Sequence, residues 1–190
     1  MFKRSAAVRA AAMLFAMLLA APTAPAAEVA GVRMADTLSV EDATLALNGM
    51  GIRRKFFIKV YVGALYLPGR DSSVRAILDA NAPRAITIEF LRDVGKEKIR
   101  DAYRDGFLSN APEQARRQQA NINRMLALVP DARKGDRILY TYHPAKGSTI
   151  TMPGSTQASF EGKEFADAYL LLYLGPNPPD EDLKKALLGM

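Results

Sequence analysis

The 190-residue chain has no cysteine, no tryptophan and a single histidine, His143. Without cysteine there is no disulfide, no thiolate nucleophile and no lipid attached at a cleavage-site cysteine, so the fold rests on its core alone. His143 lies at a strand end before Pro144, with no cluster of acids around it in the sequence. That excludes the usual zinc ligand sets and a Ser-His-Asp triad. Gly49-x-Gly51 lacks the third glycine of a nucleotide loop and precedes a strand rather than a helix, and no other cofactor signature is present. Long apolar runs are missing too. The longest, Ala10–Ala21, spans about 12 residues where a bilayer needs about 20. No block of Lys and Arg interleaved with aromatics occurs, so a nucleic-acid partner is set aside.

That short apolar run has a different use. Lys3, Arg4 and Arg9 precede it, and Ala24-Pro25-Ala26 follows with small residues at the −3 and −1 positions. Residues 1–26 therefore read as a secretory signal peptide and residues 27–190 as one domain, delivered to the periplasm without a stable membrane anchor. Three of the 26 Lys and Arg belong to the signal and none of the 20 Asp and Glu do, which leaves the domain a formal charge of +3. This is an ordinary solvated surface.

Periodicity supplies the coarse architecture. Phe56, Ile58, Val60, Val62, Ala64 and Tyr66 make an unbroken apolar face at period two, which predicts a strand over Phe56–Leu67 with that face buried. Asp71-Ser72-Ser73 caps a short helix, and Ala85–Leu91 is a second strand with Ile86, Ile88 and Phe90 on one side. A helix from Gly95 carries Ile99, Ala102, Tyr103 and Phe107 on one stripe. A longer one from Pro112 carries Ala115, Ile122, Met125, Leu126 and Val129. Three short strands are expected at Arg137–His143, Ser148–Met152 and Thr156–Phe160. Helices at Lys163–Leu174, apolar nearly all round and so central, and at Asp180–Leu188 complete the set. Helices clustered between runs of strands, without a βαβ rhythm, give an antiparallel α+β domain with its helices on one face.

The densest signal is Asn48-Gly49-Met50-Gly51-Ile52-Arg53-Arg54-Lys55 running into Phe56–Leu67. The pair of glycines reads as a turn, and an arginine held beside a sheet offers a planar fork of donors to a carboxylate or phenolate. The Gly-x-Arg turn followed by Lys59-Val60-Tyr61 and Leu65-Tyr66 resembles the chalcone isomerase superfamily, in particular its bacterial chalcone-isomerase-like branch. Phe90–Val94, Gly135-Asp136-Arg137, Phe165–Gly175 and Leu183–Gly189 extend the resemblance over nearly the whole domain. It implies an open-faced antiparallel sheet with a helical layer over one face and a cleft between them.

The resemblance also sorts the possible functions. Plant chalcone isomerases gather the substrate phenolate with an arginine, polarise the ketone with a tyrosine and a threonine, and close the pocket with an asparagine and a Ser or Thr. The arginine falls on Arg53, which is kept. The threonine falls on Tyr61, the tyrosine near Lys98, the asparagine near Asp105 and the Ser or Thr near Ala166. No residue here is assigned a catalytic role. Non-catalytic members include fatty-acid-binding proteins in which an arginine and a nearby tyrosine hold a carboxylate, and Arg53 with Tyr61 resembles that pair. The expectation is an exported binder of a small amphipathic or carboxylate ligand, with Arg53, Tyr61 and Lys98 as ligand-binding residues. Two alternatives stand beside it. One is an isomerase using Arg53 to stabilise an anionic intermediate; the other is a partner-binding accessory protein with a filled cleft. One geometric condition applies to the first reading. Eight residues of continuous strand would separate Arg53 from Tyr61 by about 26 Å, so the chain has to bend between them, at Arg54-Lys55.

Overall fold

The structure is a computed structural model that describes residues 26–190; residues 1–25 of the predicted signal peptide lie outside them. Among the described residues nine strands and six α-helices follow one another as β1 (Ala26–Val29), β2 (Val32–Ala35), β3 (Thr37–Val40), β4 (Ala43–Lys55), β5 (Ile58–Leu67), α1 (Val74–Asp79), β6 (Arg84–Phe90), α2 (Lys96–Asn110), α3 (Pro112–Arg117), α4 (Gln119–Leu128), β7 (Arg137–His143), β8 (Gly147–Thr151), β9 (Gln157–Phe160), α5 (Lys163–Leu174) and α6 (Glu181–Leu187). Strands β3 to β9 form one antiparallel meander in sequence order, and β1 pairs with β2 as a separate hairpin. The α+β, open-sheet architecture expected from the sequence is the one observed.

Two cores flank the sheet. The larger joins α2 to α6 with inward residues of β5 to β9, among them Leu65, Ile86, Phe90, Ile138, Tyr140 and Phe160. The smaller lies on the other face, where Val32 and Met34 of the β1–β2 hairpin cover Leu45, Val62, Ala64 and Tyr66. Tyr66 is core, as its apolar setting predicts, and its hydroxyl donates to the Ala35 carbonyl at 2.9 Å.

The predicted strand Phe56–Leu67 is corrected at its start. Lys55 pairs with Ile58, so Phe56 and Phe57 form a two-residue hairpin loop, 86 % and 100 % exposed. Ile58 is also exposed and Val60 half-buried, which leaves Val62 as the first fully buried residue of that face. A bulge explains why the period-two reading failed there. Arg53 pairs with Tyr61 and Arg54 with Lys59, leaving Val60 as the extra residue, and one extra residue exchanges the two faces of a strand. Ile58 and Val60 thus turn to the helical side, whereas Val62, Ala64 and Tyr66 enter the smaller core.

Asn48–Gly51 is no turn either. It lies inside β4, and its glycines serve close packing against α6. A Cβ on Gly51 would sit 2.6 Å from the Ala186 Cβ, and one on Gly63, its partner on β5, would sit 3.3 Å from Leu183. Asn48 bulges out of register and fixes the helix end by donating to the carbonyls of Leu187 at 2.8 Å and Asp71 at 2.9 Å. Two smaller differences concern helices. The expected long helix from Pro112 is broken at Gln118 into α3 and α4. α2 runs unbroken through Gly106, whose missing side chain admits Leu172 of α5.

Candidate functional site

A cavity of about 790 Å³ opens between the β4–β5 hairpin and the helices α2 and α5. Its sheet wall is made by Arg53, Ile58, Val60, Tyr61, Ile88 and Phe90. The helical wall comes from Lys98, Ile99, Ala102, Tyr103, Gly106, Leu172 and Tyr173. Apolar surface predominates, and the charged side chains of Lys55, Arg92, Asp93, Asp101 and Asp105 also reach the cavity. That composition is the usual one for an orienting small-molecule pocket, and the volume falls within the range of about 300–1,000 Å³.

The hairpin turn creates the central pairing. Because the chain reverses at Phe56-Phe57, Arg53 and Tyr61 become cross-strand partners, so the required bend exists two residues beyond Arg54-Lys55. The Arg53 guanidinium carbon lies 6.0 Å from the centroid of the Tyr61 ring, and Phe90 meets that ring edge-on at 6.2 Å. Arg53 Nε is buried and has no hydrogen-bond partner among the described residues. An unpaired buried guanidinium nitrogen is costly, and its side-on edge, Nε with one terminal nitrogen, suits both oxygens of a carboxylate.

Three phenols, Tyr61, Tyr103 and Tyr173, line the same cavity. Burial holds the Tyr61 hydroxyl far above the ordinary tyrosine range, with the Arg53 charge opposing. Burial likewise raises Tyr103 and, more strongly, Tyr173 and Tyr169. Tyr103 and Tyr169 share a hydrogen bond of 3.1 Å, and Tyr169 stacks on Tyr140 at 4.0 Å. These phenols remain protonated near neutral pH and act as donors or acceptors, never as bases. Sequence reasoning assigned Tyr103 and Tyr173 to the core and missed their place in the cavity. The available signal was that a tyrosine on a buried stripe still needs somewhere to put its hydroxyl.

Lys98 shares the cavity from the exposed side of α2, but no hydrogen bond or ion pair joins it to Arg53 or Tyr61. Asp105 also lines the cavity, whereas Ala166 is buried in α5 and does not reach it. Arg100 donates to the carbonyls of Leu126, Ala127 and Val129 at the end of α4. His143 pairs with Asp42 at 3.0 Å, and among the described residues no three His, Cys, Asp or Glu side chains gather as a metal site.

The family model for chalcone isomerase-like proteins matches residues 26–189. The chain belongs to the chalcone isomerase-like family. A fatty-acid binding protein of Arabidopsis thaliana has a similar structure, with a TM-score of 0.65 at 13 % identity over 86 % of this chain and 96 % of that one. At that identity the likeness concerns the fold. No curated protein matches the sequence. Within the family's fold, Arg53 occupies the sheet wall of the cleft, and the helical wall carries Lys98 and Asp105.

Proposed function

We propose that this is an exported, non-catalytic binder or carrier of a small amphipathic anion such as a fatty acid, held in the cleft between sheet and helices. The observation that carries the reading is the buried, unpartnered Nε of Arg53 beside Tyr61 in a cavity otherwise walled largely by carbon. A carboxylate pairs with the guanidinium edge and accepts from the neutral phenols, and the acyl chain lies against Ile88, Phe90, Ile99 and Leu172. The fatty-acid binding protein that shares the fold supports this choice of ligand. Enolate stabilisation of the isomerase type needs donors preorganised around a second oxygen. Lys98 has no contact that would fix it for that role, and Ala166 offers no hydroxyl. In a partner-binding protein with a filled cleft, side chains would occupy the cavity.

Export follows from Lys3, Arg4, Arg9, the Ala10–Ala21 run and the Ala24-Pro25-Ala26 site, with a mature protein beginning at or just after residue 27. Native mass spectrometry of protein recovered from the periplasm of its own host tests both parts. The expected result is a mature chain cut near Ala26 that carries long-chain acid masses, released on Arg53→Ala. A chain that carries no ligand, and shows no thermal shift with any long-chain acid, would overturn the binding assignment.

A further inference from the structure

The hairpin that builds the sheet wall of the cavity ends in a tip that the interior does not explain. Phe56 and Phe57 stand in solvent, followed by the half-exposed Ile58. Phe56 has a φ of +57°, the left-handed region, in a two-residue loop where glycine or asparagine is the usual occupant. A bulky residue in that conformation is strained. The turn thus carries two aromatics against both its conformational preference and the general burial of phenylalanine.

The charge around the tip is one-sided. Residues 53–59 read Arg-Arg-Lys-Phe-Phe-Ile-Lys, four cations and no acid, and Arg54, Lys55 and Lys59 are exposed. The acids nearby come from other elements. Asp180 accepts the Arg54 amide at 2.7 Å, and Asp93, Asp101 and Asp105 line the cavity from the helical side, Asp101 paired with Arg104. Exposed aromatics ringed by Lys and Arg suit the interface of an anionic bilayer, where the rings enter the acyl boundary and the cations meet headgroup phosphates. Lys55, Phe56 and Ile58 also line the cavity, so the tip and the cavity mouth are continuous.

We propose that the β4–β5 hairpin tip docks on the surface of an anionic lipid bilayer, inserting Phe56 and Phe57, and so sets the cavity mouth against the membrane. The partner is a bilayer rather than a protein because positive charge flanks the apolar tip on both strands, as a uniformly anionic plane requires. The purpose of docking, loading or unloading an amphipathic anion, rests on the function proposed above. The docking itself does not.

The absence of tryptophan provides a clean probe. Phe57→Trp, made in the full gene and recovered from the host with its N-terminus verified, places the only indole at the tip. On vesicles of phosphatidylglycerol and phosphatidylcholine its emission should shift to the blue and be quenched by lipids brominated on the acyl chain. Pure phosphatidylcholine should give little of either. Phe56→Ser with Phe57→Ser should lower the vesicle partition coefficient about tenfold or more, as should Arg54→Gln, Lys55→Gln and Lys59→Gln together at low salt. Arg53→Ala separates the two proposals: it should lose ligand, measured without vesicles, while the indole in its Phe57→Trp background is still quenched. An indole that stays in water on every vesicle while circular dichroism shows an intact fold would overturn the docking and assign the tip to a protein partner. Equal vesicle binding by the wild type and the double serine variant would overturn it as well.

Discussion

Arg53 and Tyr61 face each other across the β4–β5 hairpin, with the guanidinium carbon 6.0 Å from the phenol ring centroid. Eight positions apart in the chain, they are neighbours because Phe56-Phe57 turns it back. If their common role is to hold an anion, Arg53→Ala weakens binding of a long-chain acid by about 2–4 kcal/mol, since a charge-assisted pair in a dry cleft is lost. Arg53→Lys recovers part of this, keeping the charge but losing the fork. Thermal unfolding of the three proteins with and without a panel of acids reads the difference. A large loss of melting temperature in Arg53→Ala, with no ligand-dependent shift in the wild type, would make Arg53 a structural residue.

The glycine cradle under α6 gives a second expectation. Gly51→Val places its side chain where Ala186 already sits, so α6 must lift or β4 must shift. Overpacking of this kind costs about 1–3 kcal/mol. Urea unfolding should show a lower midpoint, and limited proteolysis should open the chain near Glu181–Leu187 first. Unchanged stability in Gly51→Val would mean that the cradle is dispensable.

Alkaline pH should unfold the protein through its tyrosines. Burial raises Tyr103, Tyr140, Tyr169 and Tyr173 above the ordinary value of 10.0. A raised folded-state value leaves stability intact below the unfolded-state value and removes it as pH climbs from there towards the folded value. The fold should therefore hold its stability up to about pH 10 and then lose about 1.4 kcal/mol per pH unit for each buried tyrosine. Phenolate absorbance should rise together with loss of secondary structure. Phenolate appearing well before unfolding would show that these hydroxyls reach water.

A buried ion pair far from the cavity should matter for stability alone. Arg84 is 1 % exposed, donates to Asp167 at 2.5 Å and stacks over Tyr142 at 4.8 Å, while Lys163 reaches the other oxygen of Asp167 at 2.6 Å. Asp167→Ala strands a buried guanidinium and should cost about 2–3 kcal/mol, below the full penalty of a dry pair because Asp167 keeps partial exposure. Arg84→Met combined with Asp167→Leu should regain much of it. Denaturant midpoints of the three proteins decide this, and ligand affinity should not move in any of them.

Much of this molecule was readable from its residues, for reasons that also explain the failures. Strands β6 to β9 and helices α1, α2, α5 and α6 lie where apolar patterning and caps place them, most through one buried face and α5 and β6 through burial nearly all round; Ser73 caps α1 through the Ala76 amide as expected. β1 to β4 went unseen. Three of them are four residues long, and the bulge at Asn48 breaks the alternation of the fourth. The glycines misled because permissive backbone and absent volume look the same in a sequence; only the arrival of Ala186 and Leu183 shows which property is used. Phe56 and Phe57 misled because hydrophobicity carries no record of exposure. Arg53 and Tyr61 were singled out through family resemblance, whereas their meeting depends on a turn that no turn residue announces.

The seat of α6 also bears on how the chain acquires its shape. Every strand pairing in the meander joins sequential neighbours, mostly through short connections, with α2 to α4 inserted between β6 and β7. The clasp is different: Asn48 reaches the Leu187 carbonyl across 139 positions. Closing so long a loop carries an entropic cost, and little offsets it until β4 and β5 already present their glycine groove. The latch therefore forms late. A nascent chain lacks it until Leu187 has been made, so the sheet stays without its clasp through nearly all of synthesis.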